Sequence, residues 1–462
     1  MDALTDLISL VLSNAWLYGG SFLLVLSVLV IVHEWGHYII ARACGVKVEE
    51  FAVGMGREIW GRTAKDGTRW KICLLPIGGY VKMFGDTDPA GAGKTDQVGQ
   101  GEARRPMTDA ERGQAFFSKS VAQRAAIVAA GPAINFLFAI IILTGLFITQ
   151  GKETTPPYVA AVHVGSPGDI AGLKPGDRIL SLDGLPVESF DDLRRKVMLA
   201  LDTPIRIQIS RDNDVKLITA TPKRQEMSDR FGFKHEKGYL GVLGPMNGFD
   251  LASIRAVNDT DTAKDVTKTR ALLNDHMGKG PFRITLADVE GIDQVLINPL
   301  SARNVDMNNP GAKGYNVLVP AQSLPREYTR FGLFSAVGEA TFQTWRITVD
   351  SLAALGQIVT GVRSASELGG VIRIGTLAGD MASSGLLALL TFTALLSINL
   401  GLINLFPVPL LDGGHLMFYA AEAVRGKPIP ERIQEYAFRF GLVVLVFLMV
   451  FSNLNDILQL VL

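Results

Sequence analysis

Charge is scarce in this chain. Only 19% of its 462 residues are charged, against roughly 25% in ordinary globular domains. The 45 Lys+Arg and 45 Asp+Glu cancel to a formal net charge of zero. Balanced, sparse charge excludes an acidic tail protein and a generic nucleic-acid binder, and a 48% hydrophobic content excludes a disordered chain. Cysteine is nearly absent. Cys44 and Cys73 are the only two, neither lies in a CxxC pair, and no disulfide framework can form. Histidine is rare as well, with six in the chain, so two at metal-ligand spacing carry weight.

What the chain has instead is apolar residues in blocks. Leu7 to Val32 and Ala125 to Gln150 are uncharged runs of 26 residues each, and Met381 to Leu411 is one of 31. Each exceeds the roughly 20 residues a helix needs to cross a bilayer. A fourth run, Phe440 to Asn455, is 16 residues long; tilt and flanking apolar residues can make it a span. The first run has no basic start and no small-residue cleavage site, so it reads as a retained helix rather than a signal peptide. Residues 42–119 hold 13 Lys/Arg and residues 1–20 hold none. The positive-inside bias therefore predicts a cytoplasmic loop after span one, with both termini and residues 151–380 outside.

His33-Glu34-Trp35-Gly36-His37 stands at the inner end of the first run. On a helix, positions i and i+4 share a face, so both imidazoles can ligate one zinc ion, and Glu34 beside them can take a proton from attacking water. The plainer reading is a histidine pair buried and satisfied among helices. Ionisable groups beside a span are costly, which favours function. A catalytic zinc wants a third protein ligand. Asp412, the first acid after the 31-residue run, is the best supplier, in Asn404-Leu405-Phe406-Pro407-Val408-Pro409-Leu410-Leu411-Asp412-Gly413-Gly414-His415. Pro407 and Pro409 must break the helix there. His415 is a weaker candidate.

HEWGH on a first span with NLFPVPLLDGG on a later one resembles the site-2 proteases, intramembrane zinc metalloproteases, and among them the bacterial regulator of sigma-E protease (RseP) type. The resemblance implies that His33, His37 and Asp412 hold Zn2+ and that Glu34 is the catalytic acid/base. It implies further that Asn404 with Pro407 and Pro409 binds substrate or the oxyanion. Phe51-Ala52-Val53-Gly54-Met55-Gly56 and Leu75-Pro76-Ile77-Gly78-Gly79-Tyr80-Val81 look like the family's re-entrant β-hairpin, whose edge, through Gly78, Gly79 and Tyr80, would pair with an unwound substrate. Ala130-Gly131-Pro132-Ala133-Ile134-Asn135-Phe136 resembles the family's second-span motif and reads as a packing element behind the catalytic helices.

Residues 157–222 resemble a PDZ domain, with Ala171-Gly172-Leu173-Lys174-Pro175-Gly176-Asp177 as its signature, a strand at Ile179–Leu182 and a helix at Phe190–Leu199. A repeat follows: Ile179–Gly184 matches Ile254–Asp259, and Pro204–Ile209 matches Pro281–Leu286. Residues 238–322 thus read as a second, degenerate unit. His163, His235 and His276 carry no motif; the first reads as a loop or strand residue and the others as solvated. Residues 330–380 read as an amphipathic helix and linker at the membrane face, and 86–106 as a flexible cytoplasmic segment.

The expected protein is mainly α-helical: a four-span bundle with a membrane-associated β-hairpin and inserted, mostly β PDZ domains in the periplasm. The membrane core would be residues 1–150 and 381–462, in a bacterial inner membrane, with the metal towards the cytoplasmic side. Its partners would be the lipid bilayer, a single-span membrane substrate and an upstream site-1-type protease that trims that substrate first; no nucleic acid is expected. Two rivals are a zinc-binding PDZ scaffold without catalysis and a zinc transporter. Glu34 speaks against the first, because a structural site needs no acid beside its ligands. The single full ligand set speaks against the second.

Overall fold

The computed structural model describes residues 15–85, 97–98, 105–153, 155–229, 231–244, 251–263, 265–276, 279–288, 291–298 and 328–461. Most of the segment expected to be flexible, 86–106, and the end of the second unit, 299–322, lie outside these residues.

Four helices are long and apolar enough to cross a membrane. They are α1 (Ala15–Ala43), α2 (Val121–Thr149), α7 (Leu386–Asn404) and α9 (Glu431–Val461). Between the second and third come α3 (Phe190–Leu199), α4 (Val266–His276), α5 (Leu333–Val359) and α6 (Val371–Ser383), and α8 (Asp412–Arg425) precedes the last. The 31-residue apolar run is therefore not one helix. Ser384 and Gly385, at φ +109°, separate α6 from α7, and Pro407 and Pro409 occupy the loop between α7 and α8. A proline in a helix interior loses a hydrogen bond and clashes with the preceding turn. The fourth span is longer than its uncharged run because Glu431 to Arg439 extends it at one end.

The helices meet where small residues allow it. A Cβ on Gly36 of α1 would overlap the Ala130 carbonyl of α2, and one on Gly379 of α6 would overlap the Tyr18 ring. Only glycine permits such close backbone approach. Ser120 caps α2 in a capping box with Gln123, satisfying donors that the helix leaves free at its N-terminus.

Strands β1 (Val48–Thr63) and β2 (Arg69–Met83) are the hairpin. They fold back at Gly54, Gly56 and Gly78, with φ of +85°, +88° and +79°, a region side chains avoid. Residues 50–53 consequently pair with 79–82 on one side and 69–72 on the other, so two strands make a four-segment sheet. Segment 79–83 is an edge of it and runs beside α1: a Cβ on Gly79 would lie 2.9 Å from Val30 and 3.3 Å from the Glu34 side chain.

Residues 155–298 form two β-rich cores. The internal repeat holds strand for strand. β4 (Arg178–Leu182) pairs antiparallel with β6 (Ile205–Arg211), as β11 (Ile254–Val257) pairs with β13 (Phe282–Asp288). Short partners β5 (Leu185–Pro186) and β12 (Thr260–Asp261) and following strands β7 (Asp214–Ala220) and β14 (Gly291–Ile297) complete the match. The units are not separate, however. β3 (Ala161–His163) pairs with β14 and with β10 (Val242–Leu243), inside the second unit's sheet. Successive strand residues face opposite sides, so Ala161 joins the second core while Val162 joins the first. β8 (Lys223–Ser228) and β9 (Lys234–Tyr239) form a further hairpin, and Leu240 just beyond it packs into the first core, extending that unit past residue 222.

The first unit docks on the helices through an apolar cluster of Phe231 and Phe233 with Tyr18, Ile372 and Leu460, and through polar contacts. Arg363 donates to the Glu236 carbonyl at 2.8 Å, and Gln459 of α9 accepts from the Lys234 N–H at 3.0 Å. His163 is a strand residue as expected, but it has a partner, Asp293, at 2.8 Å. His235 and His276 are half-buried rather than fully solvated. The Nδ1 of His235 is buried, and His276 bonds the Leu272 carbonyl at 2.8 Å and packs on Phe282.

Candidate active site

His33 and His37 lie one turn apart on α1, and Asp412 opens α8. His33 Nε2 is 3.2 Å from Asp412 Oδ2, His37 Nε2 is 3.6 Å from the same oxygen, and the two Nε2 atoms are 3.3 Å apart. No other group of three or more His, Cys, Asp or Glu with this convergence is found among the described residues. The edges of a tetrahedral site with metal–donor bonds of about 2.0–2.1 Å are about 3.3–3.4 Å long. The triangle fits zinc.

With neutral imidazoles, hydrogen bonding alone does not explain the triangle. His37 Nδ1 bonds the buried Ile127 carbonyl at 2.9 Å. A neutral imidazole has one N–H, and it must be at Nδ1 to donate there. Its Nε2 then turns a lone pair towards a carboxylate, which is repulsive unless a cation lies between. Two imidazoles and a carboxylate are also the donor set of hydrolytic zinc sites.

Helix α2 shapes this corner. A Cβ on Gly131 would overlap His37 and come within 2.9 Å of His33 Cε1. Pro132 cannot donate to Val128 and crowds that turn; the Ile127 carbonyl in the same turn serves His37. Asn135 is fully buried, with its side-chain amide 3.0 Å from His33 Nδ1. The second-span motif is thus in contact with both histidines, not behind them. The signal was available: Gly131 and Asn135 are i and i+4, on one helix face.

The α7–α8 loop explains the two glycines after Asp412. A Cβ on Gly413 would overlap the Leu405 and Phe406 carbonyls, and one on Gly414 the Val408 carbonyl. Leu410 holds φ +85°, a strained value for a branched side chain and typical of functional loops.

A cavity of about 580 Å³ opens beside the triad, lined in part by Glu34, Gly79, Tyr80, Met55 and Asn404. The Val81 backbone N–H is directed to the Glu34 carboxylate. Gly78 is in the turn against Met55 rather than on the cavity wall. Pro407 and Pro409 do not line the cavity either; the Pro409 backbone lies against Gly441 of α9. His415 lines the cavity and packs on Phe438, outside the triad.

Residues 21–448 match the model of peptidase family M50. The chain belongs to that family. It is similar to the regulator of sigma-E protease RseP of Escherichia coli, 34% identical over 464 residues, covering 95% of this chain and 97% of that protein. The RseP protein of Salmonella typhimurium is 33% identical over 460 residues, with 95% and 97% covered. A Rhizobium meliloti protein named as a zinc metalloprotease is 36% identical over 449 residues, with 97% and 98% covered. With this match and a His-His-Asp triad beside helices of membrane length, the M50 chain is a zinc metalloendopeptidase of the site-2 protease type.

Proposed function

We propose that this peptidase cleaves single-span membrane proteins within or at the edge of a bacterial inner membrane, after another protease has trimmed them outside. The observation that carries the reading is the convergence of His33, His37 and Asp412 beside Glu34 and a sheet edge, among helices of membrane length. His33, His37 and Asp412 would hold the zinc, which supplies Lewis acidity to the scissile carbonyl and to the attacking water. Glu34 takes the proton of that water and delivers it to the leaving amine.

A helical substrate has its carbonyls committed to i+4 donors, so it must unwind before attack. Segment 79–83 offers beside Glu34 an edge with no further strand partner among the described residues, and an extended peptide added there gains main-chain hydrogen bonds. Gly79 keeps that edge close to α1, and Tyr80 and Asn404 border the bound peptide. Gly78 sets the turn that presents the edge. Pro407 and Pro409 act through the loop that positions Asn404 and Asp412.

The two β-rich units are read as PDZ-like and periplasmic, with residues 42–119 cytoplasmic and both termini outside. β3, a strand of the second unit's sheet whose two faces pack into both cores, makes them one filter that turns away substrates with bulky outer domains. Cleavage of untrimmed substrate unchanged after removal of residues 157–322 would overturn the filter.

The direct test is cleavage of a tagged single-span substrate by wild type and Glu34→Gln in detergent, with zinc quantified in both. Loss of cleavage with zinc retained is expected. Equal cleavage by the two forms would exclude Glu34 as the acid/base.

A further inference from the structure

Asn135 takes no part in the proposed chemistry, yet it is fully buried against a proposed ligand. Its Nδ2 lies 3.0 Å from His33 Nδ1, and its Oδ1 is buried without a partner. Its backbone is fixed: Ser397 of α7 donates to the Asn135 carbonyl at 2.8 Å, and a Cβ on Gly401 would lie 3.3 Å from the Asn135 Cβ.

A neutral imidazole carries one N–H. For His33 Nε2 to turn a lone pair to a cation shared with His37 and Asp412, the proton must be on Nδ1. Nδ1–H then faces the NH2 end of the amide, donor against donor. The two ends of an Asn amide have nearly the same shape and are assigned from the hydrogen bonds they make. A half-turn of the amide brings Oδ1 to Nδ1–H and gives the orphaned oxygen a donor.

We propose that Asn135 is a positioning residue for the metal site, accepting from His33 Nδ1–H and so fixing the tautomer and ring plane of that ligand. The inference rests on the ligand set proposed above. Both histidines are then oriented from α2, His37 by a main-chain carbonyl and His33 by a side chain. Only the second can be removed by substitution.

The test is zinc affinity of the full chain in detergent, measured by competition with a chromogenic chelator. Asn135→Leu keeps the branched shape and removes the acceptor; its affinity is expected to fall about 10–100-fold. Asn135→Asp restores an acceptor and is expected to keep wild-type affinity. The metal-free melting temperature of both variants is measured beside wild type, and zinc affinity is compared at temperatures where each metal-free form is folded. Undiminished zinc affinity in Asn135→Leu, or equal loss in both variants, overturns the proposal. If Asn135→Leu does not fold, Asn135→Ala carries the same test without added bulk. His37→Phe separates the two claims. Zinc lost there but kept in Asn135→Leu defeats only the positioning role, whereas zinc kept in His37→Phe defeats the ligand set itself.

Discussion

Arg124 of α2 donates to Glu422 of α8 at 2.7 Å, with the two side chains only 9% and 14% exposed. The guanidinium also stacks over Tyr419, 4.9 Å from its ring centroid, and donates to the Lys119 carbonyl at 3.1 Å. α8 carries Asp412 at its other end, so this pair ties the third proposed ligand to the span that backs the first two.

Removing one partner of a buried ion pair strands the other charge, at a cost of about 3–5 kcal/mol. Arg124→Leu is therefore expected to lower the melting temperature in detergent and weaken zinc binding. Arg124→Leu with Glu422→Leu removes both charges and should recover most of the stability. Equal melting of the single variant and wild type would show that the pair does not hold α8.

Gly131→Ala would push a methyl group into both imidazoles. Zinc content is expected to fall severely, with the helix intact by circular dichroism. Gly145→Ala on the same helix, with nothing within 4 Å of the added carbon, is the control and should bind zinc normally.

Asp456 of α9, 1% exposed, accepts from the Gly370 and Arg373 N–H groups at 2.9 and 3.0 Å and so caps α6 from a distant helix. Loss of a cap costs about 1 kcal/mol. Asp456→Ala is expected to destabilise by at least that, and hydrogen exchange should speed in the first turn of α6. Exchange unchanged there would show that the cap is dispensable.

Glu111 has its pKa lowered to about 2, mainly by Arg105 and then by the Thr108 N–H and hydroxyl. A depressed carboxylate contributes stability that is present above its unfolded value, here 4.5, and lost as pH falls towards 2. The short helix Asp109–Arg112, which leads to the cavity-lining Phe116, should loosen over that interval. Hydrogen exchange of residues 109–116 against pH measures it, and Glu111→Gln should abolish the step.

Much of this protein was legible along the chain because membrane and helix impose local rules. Four apolar stretches announce four spans, the i, i+4 spacing of His33 and His37 puts them on one face, and prolines end α7 before Asp412. The repeat announces two matching β-rich units. All of these depend on residues a few positions apart or on simple periodicity.

What tertiary structure alone decided are contacts between distant segments. Asp412 meets the histidines only because Gly413 and Gly414 let the prolyl loop close over the start of α8. Asn135 reaches His33 because Gly36 brings two spans to backbone contact and Gly131 leaves room for both imidazoles. β3 joins the two β units because opposite faces of one strand can serve two cores. Spacing in sequence cannot reveal these pairings, since nothing local says which glycine faces which carbonyl; close packing of the folded chain selects them.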